Sequence, residues 1–178
     1  YAWALMSSDE GMALIRSSEQ RYRAKYELRR QSEFGGAELC RRLGDGEYRF
    51  PFLIYKEYVS GGTNLSMANE GFSHPCTLAV ANGVGMVRLH PVDLSARSQM
   101  TGREMNGRVR RLMYLDGSAF APAYDDGSTI SFPARTLHFL NIGSGVGQIL
   151  HGSVCLRMQC SVGTKHMPES TAIFTILI

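Results

Sequence analysis

The sequence predicts a mainly β protein: an N-terminal helix, then an antiparallel two-sheet sandwich, jelly-roll being one such topology, or a closed barrel. Three observations carry that expectation. Apolar residues recur at helical spacing before Gly46 and alternate with period two after it. An Asn82-Gly83 pair stands between two short apolar runs, the mark of a two-residue hairpin turn. Residues 150–162 hold the longest apolar/polar alternation in the chain, as in a strand with one buried face.

The first helix is expected over residues 9–33. Ser7 with Glu10 three residues on has the form of a capping box, and Met12, Ile15, Tyr22 and Tyr26 fall near one face. Gly35-Gly36 reads as its stop, and a shorter helix over residues 37–43 ends at Gly44-Asp45-Gly46. Between positions 16 and 30 the six bases Arg16, Arg21, Arg23, Lys25, Arg29 and Arg30 outnumber Glu19 and Glu27. Such a face is either a solvated helix surface or a contact for nucleic acid, acidic lipid or an acidic protein. Tyr22 and Tyr26 among the bases favour a contact.

The β region divides at its turn residues. Tyr48, Phe50, Phe52 and Ile54 share one face, with Pro51 at an edge or a strand start. The Asn-Gly pair joins strands at 77–81 and 84–89. Residues 95–107 are polar and read as a long loop. A meander follows over 109–132, its turns at Asp116-Gly117 and Asp126-Gly127, its middle element at an edge because of Pro122. A short strand at 137–142 precedes the glycine-rich 143–147. On the long strand, Leu150, Val154, Leu156, Met158, Cys160 and Val162 face inward, while His151, Cys155 and Arg157 face out. The last strand, 172–178, is apolar on both faces. Residues 1–46 thus form a helical segment and 47–178 an antiparallel β domain, within one compact domain.

Composition bounds the class. At 178 residues with 44% hydrophobic and 20% charged side chains, the chain has enough apolar content to fold and is not of the disordered type. No apolar run approaches the roughly 18 residues that span a bilayer, so a soluble protein without a membrane span is expected. The opening on Tyr1 points to a processed product, a fragment or a trimmed chain, and acids at Asp9 and Glu10 disagree with a transit peptide. No compartment follows. Basic residues are mostly Arg, Lys occurring only at 25, 56 and 165, which suits interfaces or reflects compositional bias. Cys40, Cys76, Cys155 and Cys160 allow two disulfides, which a domain of this size does not require, and free thiols are expected. Asn64-Leu65-Ser66 is a glycosylation sequon that matters only in a secreted protein.

No motif names a reaction. The glycine run at 143–147 precedes a period-two stretch, whereas a dinucleotide site needs a helix there. His74 with Cys76 and His151 with Cys155 suggest zinc only weakly, because Cys155 and Cys160 face opposite ways unless a bulge intervenes. His151 and Cys155 stand about 13 Å apart along a strand, too far for a thiol–imidazole pair. His138 reads as a sheet histidine, and Asp125-Asp126-Gly127 as a turn rather than a calcium loop. No catalytic residue, metal or cofactor is therefore expected.

The function read from these features is a non-catalytic structural or accessory subunit of a larger assembly, with other protein subunits as partners in a homo- or hetero-oligomer. Its contacts would be the basic helix face with Tyr22 and Tyr26, which also suits an acidic protein or nucleic-acid surface, and Phe174, Ile176 and Ile178 of the last strand. An Arg-rich front end before a sandwich resembles the jelly-roll coat proteins of small viruses in architecture alone, and architecture does not fix function. The alternative is a β-barrel for a small apolar ligand, suggested by Phe50, Phe52 and Met158 on interior faces. A thiol-dependent enzyme is third.

Overall fold

The chain enters the fold through a helix at Asp9–Leu28, in a computed structural model that describes residues 8–58, 61–97, 104–163, 165–166 and 168–178. Ser8 caps the helix by accepting the Gly11 N–H at 3.0 Å, and Asp9 and Glu10 complement the positive helix end. Ser7, the cap expected from sequence, lies outside the described residues. The helix stops at Leu28, short of the expected Glu33, because Glu33–Gly35 forms a strand, β1. There Phe34 is buried and stacks on Phe139 at 4.9 Å, and core burial outweighs helical propensity. Gly36 does not end a helix but begins one, Gly36–Leu43. A Cβ at Gly36 would stand 1.7 Å from the Ala134 carbonyl oxygen, so this close backbone approach requires glycine.

The strands follow in order: β2 (Gly46–Phe50), β3 (Phe52–Lys56), β4 (Cys76–Ala81), β5 (Val84–Leu89), β6 (Leu94–Arg97), β7 (Glu104–Asp116), β8 (Ala119–Pro122), β9 (Tyr124–Asp125), β10 (Ile130–Pro133), β11 (His138–Ile142), β12 (Ile149–Val162), β13 (Lys165–His166) and β14 (Ser170–Leu177). Among the described residues they make two antiparallel sheets of a sandwich-like fold. The larger runs β1-β11-β12-β14-β3, with β6, β7, β8 and β13 attached through β12 and β7; the smaller runs β2-β4-β5-β10-β9. The sheets are open at their edges, which selects the sandwich over the closed barrel. The expected Tyr48-to-Ile54 face is split between the two sheets, the chain crossing at Pro51. Asn82 and Gly83 both take positive φ, 52° and 75°, as the type I′ turn between β4 and β5 requires.

The polar stretch after Leu94 is a hairpin arm rather than a loop: Leu94–Arg97 pairs with Glu104–Gly107. Main-chain pairing needs no apolar side chains, so the alternation test cannot see it. The long strand β12 takes β11 and then β7 on one side and β14 on the other. Its register with β7 shifts between Gln159 and Cys160, leaving Arg110 unpaired on β7 and keeping Val109 and Leu112 on the buried face. Between the sheets, Phe174 stacks on Phe52 at 5.2 Å and meets Phe132 of the other sheet edge-on at 5.4 Å. Ala24 and Leu28 of the first helix and Leu39, Cys40 and Leu43 of the second close one end of this core.

Candidate functional site

The core opens at one end of the larger sheet. A cavity of about 360 Å³ lies there among Met67 and Ala68, Leu94, Gly107, Cys160 and Val162, with Pro168, Glu169 and Ser170 at its rim. The alternation of β12 aims Cys160 and Val162 toward the buried face, and both are partly exposed there. Gly107 carries no side chain where a Cβ would lie 3.1 Å from the Ser161 carbonyl oxygen, so the floor is bare backbone.

The opposite wall is a one-turn 3-10 helix, Met67–Gly71, locked to the sheet by polar contacts. Ser66 donates its N–H to Ile54 O at 2.8 Å, and its hydroxyl accepts the Ala68 N–H at 3.2 Å. The buried Asn69 amide oxygen accepts the Ile54 N–H at 3.0 Å, and the His74 ring meets Asn69 O at 2.9 Å while stacking on Phe52 at 3.9 Å. Ala68 therefore faces inward, and Met67 is left 74% exposed at the mouth. Burial pushes the Cys160 thiol above its ordinary pKa, so at neutral pH it behaves as a small apolar wall group.

The residues expected to bind partners are brought together in part: Arg21, Tyr22, Lys25 and Ile178 line one shallow surface pocket, and Tyr22, Lys25, Tyr26 and Arg29 line another. Phe174 and Ile176 are fully buried, and β14 is hydrogen-bonded to β12 on one side and β3 on the other. Ile178 exchanges main-chain hydrogen bonds with Leu150 at 3.0 and 3.1 Å, beside Arg21, Tyr22 and Lys25. On the helix, Arg21 is half-buried over the Phe50 ring at 4.5 Å, and desolvation lowers its pKa. Arg29 and Arg30 lie 4.0 and 6.0 Å from the Tyr26 ring, and the Arg29 carbonyl accepts from Asn141 and Gln148. Arg16, Arg23 and Tyr22 point to solvent.

Phe50, Phe52 and Met158, named for an interior ligand, are fully buried and fill the core themselves. His74 and Cys76 point apart, the buried Cys76 thiol donating to Phe50 O at 3.4 Å and His74 stacking on Phe52. His138 is exposed 3.4 Å from Glu33. Sequence reasoning missed Met67, Ala68, Leu94, Gly107 and Pro168. The one available signal was the inward parity of Cys160 and Val162 continuing past the last large core residue.

No protein-family model matches the chain, and no curated protein sequence matches it. Among solved structures it is similar to the NEAT5 domain of IsdX2, a B. anthracis hemophore in complex with heme, at 14% identity and a TM-score of 0.46, covering 75% of this chain and 96% of that one. A mutant of that domain, also in complex with heme, matches at 14% identity and TM-score 0.46, covering 75% and 95%. The expectation of an assembly subunit is corrected: the apolar strand meant for other subunits is interior to this chain's own sandwich.

Proposed function

We propose that this protein binds a small apolar molecule, in the cavity between the 3-10 turn at Met67–Gly71 and the open end of the larger sheet rather than inside a barrel. The observation that carries the reading is an apolar cavity, walled by Ala68, Leu94, Cys160 and Val162, where the packed core stops. Its volume of about 360 Å³ falls within the roughly 300–1,000 Å³ of small-molecule sites. Desolvating these walls supplies affinity, and Ser66, Glu169 and Ser170 at the edge supply orientation.

Heme, the ligand of the similar chains, needs an axial His, Tyr, Cys thiolate or Met/His pair for its iron. The described lining residues supply the Met67 thioether and a Cys160 thiol that burial keeps protonated. That donor set does not fit an iron porphyrin, so the ligand proposed is metal-free.

Titration with the neutral fluorophore N-phenyl-1-naphthylamine tests the proposal. Saturable one-site enhancement is expected, lost in Val162→Trp, which fills the cavity from its partly exposed edge while circular dichroism stays unchanged. Heme titrated in parallel is expected to show no saturable Soret shift. Fluorophore binding that never saturates, or that survives Val162→Trp, overturns the reading.

A further inference from the structure

The outer face of the smaller sheet carries a second, chemically opposite groove. Sheet register sets five side chains in one row across all its strands: Arg49 opposite Thr77, Thr77 opposite Arg88, Arg88 opposite Ser131 and Ser131 opposite Tyr124. Their neighbours Phe50, Leu78, Val87 and Phe132 face the core, so the row faces outward. The row spans four inter-strand spacings, about 19 Å, and lines a groove of about 570 Å³.

One residue of the row forms the floor of the groove and keeps its hydroxyl free. Ser131 is only 6% exposed, at the groove floor between Arg88 and Tyr124, yet its hydroxyl makes no hydrogen bond among the described residues. That hydroxyl opens into the groove, where it can both donate to and accept from a ligand. Thr77 and Arg49 likewise have side chains without partners among the described residues, and the Tyr124 ring is 69% exposed.

The charges of the groove largely cancel. Arg88 donates to Glu47 at 3.0 Å, and the Asp126 carboxylate is saturated by the main-chain and hydroxyl donors of Ser128 and Thr129. A phosphate or sulfate would meet one unpaired guanidinium, Arg49, and a facing carboxylate, Glu47. What remains free is a line of donors, hydroxyls that both donate and accept, and a flat amphipathic ring. That set is complementary to a ligand with hydroxyls at its edges and C–H groups on its faces.

We infer that the outer face of the smaller sheet binds a carbohydrate chain, with Ser131 and Thr77 hydrogen-bonding sugar hydroxyls, Arg49 and Arg88 donating along the row, and the Tyr124 ring packing against a sugar face. This site shares no residue with the apolar cavity.

The test uses the whole chain on an array of immobilised neutral and acidic oligosaccharides, followed by isothermal titration with the best binder. At least one neutral oligosaccharide binds, and the Kd rises tenfold or more in both Tyr124→Ala and Ser131→Val. Val162→Trp leaves this binding unchanged, and added inorganic phosphate does not compete. Binding to no oligosaccharide, binding indifferent to both groove substitutions, or displacement by phosphate overturns the inference. Ser131→Val retains bulk at a nearly buried position, so its far-ultraviolet circular dichroism is expected to match the parent. Should it not, Tyr124→Ala and Thr77→Val at more exposed positions decide the matter.

Discussion

Four cysteines of one kind acquire different chemistry from their surroundings. Burial pushes Cys40 to about 11 and Cys76 to about 12, and raises Cys160 as well. Cys155 is partly exposed on the outer face of β12, beside His138 and Ser153. Because the thiolate is the reactive form, brief iodoacetamide treatment of native protein at pH 7.5 (roughly one unit below a free thiol) should label Cys155 first and Cys160 more slowly. Cys40 and Cys76 should react only after denaturation; equal labelling of all four, read by peptide mass spectrometry, would contradict these environments. Asp126 offers a pH test. Its carboxylate accepts from the Ser128 and Thr129 main chain and hydroxyls, which holds its pKa well below the ordinary carboxylate range. A depressed folded-state pKa gives stability that is complete above the unfolded value, about 4, and lost as pH falls toward the folded value. Asp126→Ala should therefore lower the melting temperature at pH 7, and the gap to the parent should narrow steadily below about pH 4.

At the scale of elements, close contacts rather than propensity set what the strands tolerate. A Cβ on Gly152 would lie 2.3 Å from the Phe139 ring, which is itself stacked on Phe34 and has no room to retreat. Gly152→Ala should cost about 1–3 kcal/mol by overpacking. Gly147→Ala, where nothing lies within 4 Å, should be nearly neutral. Urea midpoints of the two variants compare them directly. The elements legible in the sequence were those whose side chains report their neighbours. Asn82-Gly83 announced its hairpin because only such residues take two successive positive φ values cheaply, and β12 announced itself through alternation. The arm at Leu94–Arg97 and the short strand at Glu33–Gly35 were not legible. Their pairing is main-chain chemistry, and Phe34 is the lone apolar anchor of its strand. The cavity was less legible still. Ala68, Leu94, Gly107 and Val162 come from separate segments, none has a motif, and only the sheet register brings them to one place.

For the whole molecule, the arrangement of sheets decides whether the apolar C-terminal strand faces other chains or its own core. Apolar side chains on both faces of residues 172–178 imply cover on both sides, a condition met equally by a neighbouring subunit or by a central position in one's own sheet. The fold meets it in the second way. β14 lies between β12 and β3, and Phe174 reaches across the sandwich to Phe132 while stacking on Phe52. Phe174 therefore joins the two sheets, and its ring has no accessible surface to lend a partner. Phe174→Ala should remove about 3–5 kcal/mol, a large share of the roughly 5–15 kcal/mol that holds a typical domain together. Urea unfolding should show the unfolding free energy falling by that amount, or the variant unfolded in buffer, with the molar mass of any remaining folded protein unchanged by light scattering. A strand that served as an intersubunit contact would give the reverse: a normal unfolding midpoint with a changed molar mass. The same substitution should weaken fluorophore binding at the apolar cavity only in proportion to the fraction unfolded, since Phe174 does not line it.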